Sequence, residues 1–270
     1  VTVPAAGPTP TRAPTGSGEI NLFRQGTGRP VVVLHAAGGA GAWNPYLEQL
    51  SQHFDVIAPD HPGMGLSDEL AEVADMDLLV QHYVALFDTL GLDRFDLVGA
   101  SFGGWIAAEV ASTVPERIDR LVLMAPGGLD VPGAPVADLP AMTPQQLFPA
   151  LFHDQAIAAA ILSMPPTPEA AAQGARDMAG FVRIAGAGPV FLHNPELPAR
   201  LSAITAPTLV ITAEEDHIVP RPHSEAYAAQ IAGAELHVLP EIGHALYQEK
   251  PDVVADEVIA FLSQPVPAVR

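Results

Sequence analysis

Apolar residues fall into two rhythms along this chain. Val31-Val-Val-Leu-His35 is an almost unbroken apolar run, as expected of a strand buried on both faces of a parallel sheet. Phe54 to Ala58, Phe95 to Ala100, Arg120 to Ala125, Thr208 to Thr212 and Glu235 to Leu239 predict further strands. Between them apolar residues recur at helical spacing. Trp43, Tyr46, Leu47 and Leu50 mark a helix over Trp43–Gln52. Leu79, Val80, Tyr83, Leu86, Phe87 and Leu90 share one broad face of Met76–Leu90, which Gly91 stops. Two later helices are predicted near Arg221–Ile231 and from Asp252 to Leu262. Glu19 to Arg24 alternates polar and apolar before a turn through Gln25–Pro30, so an antiparallel opening hairpin is expected. Strand alternating with helix predicts the α/β class: a mostly parallel central sheet with helices on both faces.

The rhythm breaks once. From 127 to 198 the chain turns dense in Pro, Ala, Met and Gly. Short helical patches lie around Pro144–Phe152, Ala156–Ser163 and Pro168–Ile184, which predicts an inserted helical cap. The core domain is then 19–126 together with 199–270. Residues 1–18, rich in Pro, Thr, Ala and Gly, read as a tail or an irregular first strand. They lack the continuous apolar core of a signal peptide, so a cytoplasmic protein is expected, with secretion left open.

Composition narrows the chemistry. At 270 residues, 49% of them hydrophobic, the chain can bury one large core. The absence of cysteine removes disulfides, thiolate metal sites and a thiol nucleophile. A formal charge of −19, from 31 acidic against 12 basic residues, repels nucleic acid and anionic lipid. No apolar run approaches a membrane span. Neither a metal-binding motif nor a phosphate loop is present, so no metal and no cofactor are expected. The expected partner is a small-molecule substrate, and nothing in the sequence sets an oligomeric state.

The candidate chemistry centres on Gly99-Ala100-Ser101-Phe102-Gly103, a G-x-S-x-G between a short apolar strand and an apolar-rich helix. A serine on so tight a turn is held in strained backbone geometry, with its hydroxyl out over the end of the sheet. The helix N-terminus beneath it offers unpaired N–H groups to a developing oxyanion. A serine hydroxyl needs a base, and the base an orienting carboxylate. Ten histidines are available, so position must choose. His244 follows the last predicted strand, and Asp216 follows the strand before it. Both therefore lie beyond strand C-termini, at the sheet edge where Ser101 sits and where open α/β sheets bind their ligands. Glu214, Glu215 and Asp130 are rival acids; His35 and His217 are rival histidines, with loop bracing and exposure as their ordinary roles.

With these pieces in order, the chain resembles an α/β-hydrolase from about Glu19 to Leu262. The resemblance is carried by His35 and its small-residue loop ending at Trp43, by Asp60-x-x-Gly63-x-Gly65-x-Ser67, by the elbow at Ser101, by Asp216-x-x-Val219-Pro220 and by Gly243-His244. It implies Ser101 as nucleophile, His244 as general base and then acid, and Asp216 as orienter. It also implies an oxyanion hole from the backbone N–H of Phe102 and one in the loop after His35, placed at Ala37 with Gly38 as the alternative. Ala36 stands where the family commonly has glycine.

The machinery suits an acyl-enzyme. The apolar cap favours a small or medium, largely uncharged carboxylic ester, and a serine hydrolase of that type is the expected activity. Trp105, Met142, Phe148, Phe152, Phe181 and Phe191 are the candidate substrate contacts, and His153 and His193 are candidate pocket histidines. The alternatives are a lactonase, a cofactor-free perhydrolase and a hydrolase of carbon–carbon bonds in ring-fission products. Met124-Ala-Pro-Gly-Gly-Leu129 favours the last, but the loop after His35 lacks the Gly-x-Gly-Pro-Gly wording of those enzymes. A ligand-binding protein on the same scaffold is the non-enzymatic rival.

Overall fold

Alternate residues of the central strands feed two different cores. Val31, Val33, Val98, Val122, Met124, Leu209 and Ile211 pack on one face of the sheet. Val32, Leu34, Leu97, Leu121, Leu123 and Val210 pack on the other. Side chains point alternately up and down along a strand, so only a run apolar at every position can fill both layers. The computed structural model describes residues 7–15, 18–39, 41–70, 72–186 and 192–265.

The strands are β1 (Thr11–Pro14), β2 (Glu19–Gln25), β3 (Pro30–Leu34), β4 (Asp55–Pro59), β5 (Phe95–Ala100), β6 (Ile118–Met124), β7 (Thr208–Ala213) and β8 (Glu235–Leu239). They form one sheet in the order β1-β2-β4-β3-β5-β6-β7-β8, antiparallel only at β1–β2 and β2–β4. The expected opening hairpin is not formed. β2 pairs with β1 and β4 and never with β3, because β3 is apolar on both faces and takes a central place. Within the segment read as a tail or an irregular first strand, Thr11–Pro14 is the edge strand.

Helices α1 (Pro45–Ser51) and α10 (Pro251–Leu262) cover one face. On the other lie α2 (Met76–Thr89), α3 (Phe102–Thr113) and α8 (Pro222–Gln230). Local chemistry sets their starts: Asn44 and Asp75 accept the N–H of Leu47 and Leu78 and so cap α1 and α2. Between β6 and β7 come α4 (Pro144–Leu151), α5 (Gln155–Ser163), α6 (Pro168–Ala185) and α7 (Leu197–Arg200), while α9 (Leu246–Glu249) follows β8. Among the described residues no helix is long and apolar enough to cross a membrane.

Two buried charged groups, Asp96 and Arg120, and the half-buried Arg29 lie at the end of the sheet away from Ser101. Asp96, at the start of β5, is fully buried 2.6 Å from the Arg29 guanidinium. Burial raises its pKa to about 6, although Arg29 and Arg120 pull the other way. The folded state therefore holds a proton on Asp96 that the unfolded chain, near ~3.9, has released. Stability from this group is present below about pH 4 and is lost as pH rises to about 6. The parent's unfolding free energy relative to Asp96→Asn should fall by about 1–3 kcal/mol between those limits, measured by denaturant melts at each pH. A flat difference would mean that Asp96 stays ionised when folded.

Candidate active site

Ser101, immediately before α3, has φ 53° and ψ −112°, a strained conformation for a residue with a side chain. Close packing imposes it. A Cβ on Gly103 would lie 2.3 Å from the Leu34 carbonyl oxygen and 2.5 Å from that of His35. A Cβ on Gly99 would lie 2.2 Å from the Gly103 oxygen. The first turn of α3 therefore rests directly on the main chain at the end of β3, which only glycine permits. Two further bonds fix the turn: Ser101 N–H donates to the Met124 carbonyl, and Gly127 N–H donates back to the Ser101 carbonyl.

His244 Nε2 lies 2.9 Å from Ser101 Oγ, and His244 Nδ1 lies 2.7 Å from Asp216 Oδ2. The other Asp216 oxygen accepts the N–H groups of Ile218 and Val219 at 2.9 and 2.8 Å. A carboxylate so placed can only accept, so Nδ1 carries the imidazole proton and Nε2 is free to take the serine proton. Ser101, Asp216 and His244 are all buried, which keeps these bonds out of competition with water. The N–H of Phe102, in the first turn of α3, and those of Ala37 and its alternative Gly38 meet no protein acceptor among the described residues. The arrangement can deprotonate a hydroxyl and receive a developing oxyanion beside it.

The rival acids are not brought to this site. Glu214, Glu215 and Asp130 are exposed, and so is His217. His35 braces its loop: its Nδ1 faces the Ala36 carbonyl and its Nε2 accepts the His61 N–H. His153 sits on the cap and pairs with Glu215 at 2.8 Å. His193 forms an isolated bridge with Gly128. Among the described residues no cluster of three or more His, Asp or Glu could hold a metal ion.

Of the proposed substrate contacts, Phe181 on α6 is fully buried, edge-on to Phe102 at 5.0 Å. Phe152 packs with Phe148 and Ala245, beside His244. Met142 is half-buried against the main core. Trp105 is a packing residue instead: it is buried, and its indole N–H is committed to Glu109 at 2.9 Å. Phe191 lies outside the described residues.

The sequence left Glu249 unnoticed. Its carboxylate accepts the N–H groups of Gly243, His153 and Asp154, tying the loop that carries His244 to the cap. Linear sequence holds no signal for this, because the three donors come together only when the cap folds back.

The chain belongs to the alpha/beta hydrolase family, whose model matches residues 31–257. Among curated proteins it is 32% identical over 264 residues to a 2-hydroxy-6-oxo-6-phenylhexa-2,4-dienoate hydrolase of Comamonas testosteroni, covering 91% of both chains. It is 31% identical to a 2-hydroxymuconate semialdehyde hydrolase of Pseudomonas sp. (strain CF600), covering 90% of both. Among solved structures, an esterase of Thermogutta terrifontis aligns with a TM-score of 0.71 at 25% identity, over 94% of this chain and 98% of that one. The fold and class expected from the sequence are therefore shown, whereas these dienoate and semialdehyde hydrolases point away from the expected carboxylesterase.

Two glycine substitutions test the packing of the elbow. Gly103→Ala should abolish soluble folding or cost more than about 3 kcal/mol, since backbone on both sides has to move. Gly174→Ala, in α6 with open space around it, should raise stability by roughly 0.5–1 kcal/mol. Thermal melts of the two variants beside the parent check both.

Proposed function

We propose that this protein is a serine hydrolase that cleaves a carbon–carbon bond in a 2-hydroxy-6-oxo-dienoate, the substrate type named in its curated relatives. The observation that carries this reading is end-to-end likeness to such hydrolases, together with a complete Ser–His–Asp hydrogen-bond chain. Ser101 Oγ adds to the ketone carbon while His244 Nε2 takes its proton. Asp216 keeps the imidazole in the required tautomer and stabilises the imidazolium. The N–H groups of Phe102 and Ala37 receive the oxyanion.

Such a substrate can release carbon because it is conjugated. A proton shift from the C2 hydroxyl to C5 leaves a ketone at C2 and a double bond between C3 and C4. When the tetrahedral adduct collapses, the C5–C6 bond breaks. Its electron pair passes through that double bond to the C2 oxygen, which takes the proton from His244. Water then adds to the acyl-enzyme with His244 again as base, and Ser101 is released.

A specific observation favours ester hydrolysis as the second reading. Every described arginine and the lysine already has a carboxylate, amide or main-chain carbonyl partner. No unpaired cation among the described residues stands ready for a substrate carboxylate, and the net charge of −19 repels one. Both reactions use the same addition and differ in the atom that leaves.

The purified protein should turn over 2-hydroxy-6-oxo-6-phenylhexa-2,4-dienoate with a higher kcat/KM than p-nitrophenyl esters or lactones run beside it. The reverse ranking would replace the dienoate with an ester. In either case Asp216→Asn should cut kcat by about 10⁴ with KM nearly unchanged. Asp130→Asn and Glu215→Gln should each cost less than about tenfold. A fluorophosphonate should add its mass to the peptide carrying Ser101; labelling elsewhere with full activity retained would refute the nucleophile.

A further inference from the structure

A buried polar chain that no part of the proposed mechanism uses runs beneath the loop after His35. His61 and Tyr83 are both fully buried, and the rings of His35 and His61 lie 3.8 Å apart. The His61 N–H donates to His35 Nε2 at 3.0 Å, so that nitrogen carries no proton. His35 Nδ1–H must then donate to the Ala36 carbonyl, 2.6 Å away. His61 Nε2 faces the His35 carbonyl at 2.8 Å and must donate to it. That leaves His61 Nδ1 as an acceptor, and the Tyr83 hydroxyl donates to it. Each contact fixes the proton position of the next. Burial favours neutral forms throughout, lowering the pKa of both histidines and raising that of Tyr83.

The direction of this chain bears on the oxyanion. In a trans peptide, C=O and N–H point opposite ways. The Ala36 carbonyl is held toward the His35 ring, so the Ala37 N–H points away from it. A hydrogen bond accepted at a carbonyl also strengthens the N–H of the same amide as a donor. The His61 ring, lastly, lies edge-on to Phe102 at 5.3 Å, the residue that supplies the other N–H.

We propose that the Tyr83–His61–His35 chain aims and polarises the Ala37 N–H for the oxyanion, with His61 as the positioning residue. It does so through main chain, without touching the substrate. The proposal rests on the attack by Ser101 proposed above.

The test uses a trifluoromethyl ketone, which adds to an active serine and places an oxyanion in the hole. Tyr83→Phe removes one hydroxyl from a buried helix face and leaves its ring packing intact. It should lower kcat by about tenfold with KM unchanged, less than the loss of a whole oxyanion donor. It should weaken the trifluoromethyl ketone by the same factor. The hemiketal oxyanion, followed by carbon-13 resonance, should protonate at a higher pH than in the parent. His61→Gln keeps a donor toward the His35 carbonyl without needing Tyr83. In that background Tyr83→Phe should change kcat by less than about twofold, as a coupled pair requires.

An equal loss from Tyr83→Phe in both backgrounds would overturn the relay. So would unchanged ketone affinity and hemiketal titration in Tyr83→Phe. A parent that fails to bind the ketone at all would instead overturn the attack by Ser101. Should His61→Gln fail to fold, the ketone affinity and carbon-13 titration of Tyr83→Phe decide alone.

Discussion

The first turn of α3 sits against the main chain at the end of β3 with no side chain between them, and the site depends on that contact. Gly103 makes it possible, because any Cβ there would overlap two carbonyl oxygens. The consequence is that the turn carrying Ser101 and Phe102 and the loop that begins at His35 leave their paired strands side by side. Strain at Ser101 is tolerated because Met124 and Gly127 hold the turn from the neighbouring strand.

Buried polar groups are placed around this contact in two different ways. The Ser101–His244–Asp216 chain ends in a carboxylate that receives two backbone N–H groups as well as the imidazole. The Tyr83–His61–His35 chain carries no formal charge and ends in a peptide group. Neutral donors and acceptors are less costly to bury than ions, so such a chain can lie inside the core without a counter-charge. Asp96 shows the opposite case, where a buried carboxyl next to arginine is still pushed toward its neutral form.

The cap joins the site through specific contacts. Phe181 reaches the ring of Phe102, and Asp177 on the same helix accepts the Gly65 N–H at 2.8 Å. On the other side, Ala245 donates to the Leu151 carbonyl, and Glu249 gathers donors from cap and His244 loop together. The cap is thus joined both to the loop that carries His244 and to the first turn of α3. Addition by an activated serine serves a carbon or an oxygen leaving atom alike, so such a triad alone does not distinguish the two reactions.

Much of this was legible in the sequence. Unbroken apolar runs require a sheet covered on both faces, so the α/β class and most helices and strands could be read directly. The elbow glycines marked Ser101, placement after successive strands put Asp216 and His244 at the same sheet edge, and the family resemblance chose Asp216 over Glu214 and Glu215 in its own loop. Pairing was less legible: alternation in Glu19–Arg24 predicted a hairpin, but hydrogen-bond partners depend on which strands are buried, and β2 pairs elsewhere. The same limit hid His61, Tyr83 and Glu249. Their roles arise from hydrogen bonds between residues distant in the chain, and a hydrogen bond depends on distance and direction, which residue order does not contain. Residue types and spacing determined the fold class and the candidate catalytic groups; only the folded backbone decided which peptide groups are already occupied and which N–H groups remain to face a substrate.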